Sequence, residues 1–522
     1  MDFHFTDIES LTVSLPEDIE KRKLAGDFEG AVRLCDLWLQ RPVPEVMKKK
    51  LVLEKDILKI LPGEYTLTEE KVMEEVREKV PDFTHEEFEK LVDEGRIDFL
   101  FVNGREMYHE DCVATLFKVN ADLIARADKA GELPETVKKD SAFENIREKM
   151  IADGKATVRF HMHSGLKIND SAFRPGHVTV HLPIPVLCPQ VRGVRITDCS
   201  ADKYTVAAVD AAQRTICFDE EMNDNHELFV EYEYVITADY NPVYEEAEKA
   251  EAGATAGMTS SEKINVLDEP YPVSGGARSF TAKQATGAEN GTKMQYCDPD
   301  FAEPMKKSDL DAFYRNVYRA DLSEQLPHIC FTPYMKALAA DITRGKHSVL
   351  AKARAIYDYV TENVEYSFVR TYFTIESLAE YAAIGRRGDC GIQALMFITL
   401  CRIAGIPARW QSGLDTNPYD TGSHDWAMFY AEPYGWIFAD PSFGGGAHRD
   451  GHEEERRFYF GNLDPFRTPT TRIFQSEFDP PRKYLRLDPY DNQCGEIEYD
   501  DRGLIKGEFR SSRRVLKYEA ID

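Results

Sequence analysis

Positive charge is the first thing in short supply. The chain of 522 residues carries 64 Lys and Arg against 91 Asp and Glu, a formal net charge of −27. A surface that acidic repels phosphate backbones and anionic lipid, so neither nucleic acid nor a membrane is expected as a partner. Long apolar runs are also missing. The most apolar stretch, residues 392–401, is far too short to span a bilayer. The segment Met1-Asp2-Phe3-His4-Phe5-Thr6-Asp7 lacks the apolar core of an export signal. These absences predict a soluble, cytoplasmic protein. Ten cysteines are present, but no pair has C-x-x-C spacing and no zinc-ligand quartet is visible. No metal or organic cofactor is implied, and most thiols are expected to be reduced, small buried hydrophobes. No internal repeat is evident either, which argues against a helical array.

What is present begins with size and a change of character along the chain. A chain this long exceeds one compact core, and two to four domains are expected. Hydrophobic content of 43% and charged content of 30% are those of a globular protein. Residues 1–150 are predicted to be mainly helical, with amphipathic patterns over 28–39 and 68–80. Thr84-His85-Glu86-Glu87 is a capping box that opens a further helix. Asn103-Gly104 then separates two short strand-like runs, the strongest local hairpin signal. Helix, helix, hairpin is the element order of a winged helix. However, residues 66–110 hold fourteen Asp and Glu against six Lys and Arg, so a protein-contacting or purely structural module is favoured over DNA binding.

Residues 155–240 are rich in alternating β patterns, which predicts an antiparallel sandwich. His161 and His163 share one strand face there, and with no third ligand in view a half-exposed face is favoured over a metal site. Residues 241–300 have the Ala, Gly, Thr and Ser content of a linker. Residues 301–522 form the expected last domain, with strands near 495–499 and 508–510 completing it.

The chemistry concentrates in that last domain. Gly388-Asp389-Cys390-Gly391 precedes a run to Ala404 that is apolar nearly all round, followed by Gly405-Ile406-Pro407. This predicts a buried helix with Cys390 at its N-terminus and Gly405 past its end. The unpaired N–H groups and dipole at that end favour a thiolate, and the Cys390 N–H is placed to hold an oxyanion. A plain buried cysteine opening a core helix is the competing reading. His424-Asp425-Trp426 starts one strand, and Trp436-Ile437-Phe438-Ala439-Asp440 forms a second, so His424 and Asp440 are expected to be near neighbours across a hairpin. A carboxylate on one imidazole nitrogen leaves the other free for a thiol. Together these are the parts of a thiol acyl-transfer site.

Gly388-Asp389-Cys390, then Ala404-Gly405-Ile406-Pro407-Ala408-Arg409, His424-Asp425-Trp426, and Gly435-Trp436-Ile437-Phe438-Ala439-Asp440-Pro441-Ser442 resemble the core of the transglutaminase-like superfamily across about 320–450. The resemblance implies a multidomain α+β protein: an N-terminal helical region, a β-sandwich, then a papain-like catalytic core. It implies Cys390 as nucleophile, His424 as base and Asp440 as its orienter, acting on peptide, isopeptide or side-chain amide bonds of a peptide or protein substrate. Hydrolysis is favoured over amine transfer because water is the abundant acceptor. The alternative is a non-catalytic scaffold or peptide-binding module of the same fold. A redox thiol at Cys390 would need a resolving partner, and Cys401 lies about 16 Å along the helix. Two positions depart from the common pattern of the superfamily: Asp425 follows the histidine, and Met428 stands two residues after Trp426. Asp389 and Asp425 thus put acidic groups beside the nucleophile and the base, raising the Cys390 pKa or meeting a substrate cation. Tyr366 falls where the superfamily often carries a tyrosine, and core packing is its expected role.

Overall fold

A computed structural model describes residues 5–128, 135–255, 264–273, 276–281 and 312–521, and shows a mixed helix and sheet protein. The N-terminal region is helical, as its periodicity predicts. Asp27 caps the helix Phe28–Leu39 and Thr68 caps Glu69–Lys79, each through its side chain. The Thr84–Glu87 capping box is formed in full at the helix His85–Asp93. Asn103 and Gly104 both have positive φ, 51° and 75°, and close the hairpin of Phe99–Val102 with Arg105–Tyr108. This backbone twist is what makes Asn-Gly a hairpin turn. The helix-helix-hairpin segment has a small hydrophobic core of its own, from Val72 to Leu123, apart from the main core.

Strands of 155–239 form two antiparallel sheets whose apolar faces meet in the main core. Lys155–Ile168 pairs with Leu228–Asp239, which also pairs with Val191–Cys199. Gly176–Pro183 pairs with Thr215–Met222 in the second sheet. His163 is buried between Glu227 and Glu231, while His161 meets Thr197 and Glu231. Among the described residues, no group of three or more His, Cys, Asp or Glu side chains could hold a metal ion.

Two expectations need correction here. The tail strands do not complete the last domain. Glu496–Tyr499 pairs with Gly176–Pro183, and Phe509–Ile521 runs along Lys155–Ile168. The chain leaves these sheets, builds the site-bearing unit and returns, because alternation marks a strand without naming its partner. The linker assignment also fails where it can be seen. Val243–Thr255 is a helix, with the Tyr244 hydroxyl donating to Asp358 at 3.0 Å and the Arg354 guanidinium 4.0 Å from its ring centre. Val266–Leu267 and Arg278–Thr281 join sheets. Residues 256–263, 274–275 and 282–300 of the assigned linker lie outside the described residues.

The site-bearing unit is a five-stranded antiparallel sheet with helices against it. Its order is Phe460–Gly461, Gly435–Ala439, Gly422–Ala431, Ala408–Asp415, Arg467–Thr471. The helix Cys390–Ile403 is buried from Gly391 to Arg402, so its all-round apolar pattern is satisfied on every side. Phe397 meets Phe429 of the sheet with ring centres 5.8 Å apart. Among the described residues no helix is long and apolar enough to cross a membrane.

Candidate active site

Cys390 is the first residue of its helix, and Asp389 is the N-cap, accepting the Ile392 N–H at 3.1 Å. Gly391 follows because nothing larger fits. A Cβ there would lie 2.2 Å from the Tyr372 hydroxyl and 2.8 Å from an Asp425 oxygen. His424 lies on the strand Gly422–Ala431, and Asp440 follows the last pair of the hairpin, Ala427 with Ala439. The two side chains share a face, and His424 Nε2 lies 2.7 Å from Asp440 Oδ2. Asp440 also caps the helix Pro441–Arg449 through the Phe443 N–H. Burial alone would raise its pKa, but His424, Arg467 and the Phe443 N–H outweigh that and hold it below the usual carboxylate value.

Cys390 and His424 line one cleft of roughly 1400 Å³. No hydrogen bond joins them here. The Cys390 thiol instead donates to Asp425 Oδ2 at 3.3 Å. Its pKa is pushed well above the ordinary thiol value, first by burial, then by the charges of Asp425 and Asp389. The helix-end effect expected from sequence is therefore outweighed. A half-charge dipole end is opposed by two full carboxylates and by desolvation.

Those carboxyls are themselves displaced. Burial raises Asp389 to about 6, against the Tyr372 hydroxyl and Ile392 N–H that stabilise its charge. Asp425 is also raised, by burial first and with the Asp389 charge adding, and it is tied to a neighbouring buried carboxyl, Asp491. Burial and mutual repulsion keep that pair from ionising together. Gln493 reaches the same place, donating through its side-chain amide to Asp425 Oδ1 and to the His424 carbonyl. Tyr366 is also a cleft residue, paired in register with Gly388, rather than the core-packing residue expected. Asp491 and Gln493 lie more than 60 residues beyond Asp425 on a loop without regular structure, and no local pattern marks them. Tyr372 carried no signal beyond its aromatic character.

This arrangement gives a measurable expectation. In Asp425→Asn, iodoacetamide should alkylate Cys390 roughly tenfold faster at pH 8, because one like charge beside the thiolate is gone. At pH 5.5 the gain should vanish, since Asp425 is already neutral in the native protein. Equal ratios at both pH values would show that Asp425 does not control the thiol.

Residues 336–441 match the family model of the transglutaminase-like superfamily, a segment that contains Cys390, His424 and Asp440. That segment is a transglutaminase-like domain. Among curated proteins, the uncharacterized protein YebA of Bacillus subtilis (strain 168) is 23% identical over 129 residues, which is 21% of this chain and 17% of that protein. The match thus spans about a sixth of that relative's length. Among solved structures, a "putative cysteine protease" from Cytophaga hutchinsonii is 15% identical with a TM-score of 0.37, covering 70% of this chain and 91% of that one. The periplasmic domain of TgpA from Pseudomonas aeruginosa is 12% identical with a TM-score of 0.25, covering 61% and 96%.

Proposed function

We propose that the transglutaminase-like domain is a thiol-dependent amide hydrolase or acyltransferase, acting on peptide, isopeptide or side-chain amide bonds through Cys390, His424 and Asp440. The observation that carries this reading is the 2.7 Å bond from His424 Nε2 to a buried Asp440, in the cleft that Cys390 opens onto. That bond fixes the imidazole tautomer and leaves Nδ1 for the thiol. Substrate entry draws the thiol from Asp425 to His424. The thiol proton passes to Nδ1 and sulfur bonds to the carbonyl carbon. The Cys390 N–H, at the head of its helix, holds the oxyanion. Collapse breaks the C–N bond, and His424 returns the proton to the departing amine. Water, deprotonated by His424, then attacks the thioester, and the thiolate leaves. Hydrolysis is preferred to amine transfer because a cleft this wide and lined with charged groups admits water.

Mass-spectrometric mapping of iodoacetamide labelling across pH 6–11, a window that reaches the raised thiol, tests the reading without a substrate. Cys390 should titrate as a thiol coupled to an imidazole, and His424→Ala should raise its alkylation midpoint by roughly one unit or more. A midpoint unmoved by that substitution would favour a non-catalytic peptide-binding role for the same cleft. Incubation with labelled casein, with and without a fluorescent primary amine, separates the two acceptors. Amine adducts without new chain ends would replace the hydrolase by a transferase.

A further inference from the structure

The helical N-terminal region lies against residues 365–372, which in turn pair with the loop that leads into Cys390. Residues 365–372 are held from two sides. On the catalytic side, Tyr366 pairs with Gly388, the Glu365 N–H donates to the Arg386 carbonyl at 2.9 Å, and the Ser367 N–H to the Gly388 carbonyl at 3.1 Å. The Tyr372 hydroxyl donates to Asp389, the N-cap of the Cys390 helix. On the other side the hydrogen-bond and ion-pair partners come from residues 64–118. Glu64 accepts the Thr371 N–H at 3.0 Å and the Thr371 hydroxyl at 2.5 Å. Thr115 Oγ1 accepts the Phe368 N–H at 3.1 Å, and Arg96 Nη1 spans both Glu365 oxygens at 2.6 and 2.7 Å. The Lys118 ammonium sits 3.9 Å from the Tyr366 ring centre and 5.1 Å from that of Phe368, and it lines the same cleft as Cys390.

Glu64 is only 3% exposed and ends the helix Glu45–Glu64, where the helix dipole works against a carboxylate. Its compensation comes from outside the helix, in the Thr371 groups and in Lys506, 3.9 Å away. The small core of 72–123 is separate from the main one. Leu100, Val102 and Met107 of its hairpin pack against the main core, and its polar attachments at this point go to segment 365–372 and to Arg387, 3.5 Å from Asp98. Nothing in packing alone requires those contacts to converge on the residues that flank Cys390.

We infer that residues 64–118 are a positioning clamp for the nucleophile: Glu64, Thr115 and Arg96 hold segment 365–372 so that Tyr372 secures the Asp389 cap and Lys118 closes one wall of the cleft. The inference rests on the reading of Cys390 as nucleophile. None of the three clamp residues is a catalytic residue; each acts through the segment it holds. The thiol itself is faced by Asp389 from its own loop, by Asp425 from the sheet, and by Tyr366 and Tyr372 from the clamped segment. Displacing that segment changes two of those four neighbours and the hydrogen bonding of a third.

The test uses the full chain and follows the pH profile of Cys390 alkylation by iodoacetamide alongside the thermal melt. Glu64→Ala should move the alkylation midpoint by roughly half a unit to one unit. Glu64→Gln, which keeps an acceptor oxygen for Thr371, should restore most of it. Thr115→Val should shift it in the same sense with little change in melting. The exchanged pair Arg96→Glu with Glu365→Arg should lie closer to wild type than either single change. A wild-type midpoint in both Glu64→Ala and Thr115→Val, with both proteins folded, would overturn the clamp. Should Glu64→Ala fail to fold, Thr115→Val and the exchanged pair decide by the same criterion. If Cys390 of the wild type shows no alkylation at any pH from 6 to 11, the nucleophile reading itself has failed, and the clamp falls with it.

Discussion

Cys390→Ala should lower amide cleavage by about 10⁴-fold or more while the melting temperature stays within a few degrees of wild type. The activity falls because the other thiol lining the cleft, Cys494, sits beside Ser423 and Arg513 and not at the head of the Cys390 helix. Carboxylates around it are poor nucleophiles toward amides, and His424 without the thiol can only assist water. The fold survives because Cys390 is partly exposed to the cleft and its thiol makes one side-chain hydrogen bond, to an Asp425 carboxyl that protonates readily. Release of labelled peptides from casein, measured with the melt, checks both halves. His424→Ala should cost a similar factor, and the double variant little more than either alone, since the two act as one unit. Wild-type turnover in Cys390→Ala would end the thiol mechanism.

Arg467→Met should be the most destabilising single change at the site, costing about 3–5 kcal/mol. Arg467 is fully buried, with nitrogens 3.4 Å from Asp440, 3.4 Å from Asp415 and 3.5 Å from Asp464. Its guanidinium also lies 3.7 Å from the ring centre of Phe443, the aromatic that packs edge-on against His424. Methionine fills much of the volume but leaves three carboxyls without their cation. The loss depends on pH in a defined direction. Asp440 has a lowered folded pKa, so its charge stabilises the native state above the unfolded value of about 3.9. That contribution disappears as pH falls through the folded value. The variant should therefore lose more at pH 7 than at pH 2.5, measured by urea unfolding. Asp389 and Asp425 work in the opposite sense. Their folded values are raised, so ionising them weakens the native state as pH rises from about 4 through the raised values. A variant whose deficit is the same at both pH values would show that Arg467 stabilises by packing alone.

The superfamily motif was legible because its chemistry is local. A cysteine at a helix start, a histidine on a strand and an aspartate closing the next strand each sit in a short pattern with its own breakers. The hairpin geometry then needs no information beyond the seventeen residues from His424 to Asp440. Asp425 was visible as a departure from the common pattern that would raise the thiol pKa or meet a substrate cation, but the hydrogen bond it takes from the thiol was not. The alternation over 155–240 likewise marked strands correctly while leaving their partners open. Edge strands from 496–521 complete both sheets, and only the closed sheets reveal that. The same holds for the assigned linker, where composition gave no sign of the helix Val243–Thr255 packing through Tyr244.

The sequence by itself determined the helical start, the β-rich middle and the order and identity of the three candidate catalytic residues, because periodicity and turn chemistry act over a few residues. The tertiary structure decided what surrounds them. Arg467, Gln493, Asp491 and Glu64 reach the site or its supporting segment from positions 27 to more than 300 residues away from their partners. Desolvation and the summed field of neighbouring charges depend on distance in space and not along the chain. That is why the lowered thiol pKa expected from a helix N-terminus becomes, once Asp389 and Asp425 are placed, a raised one.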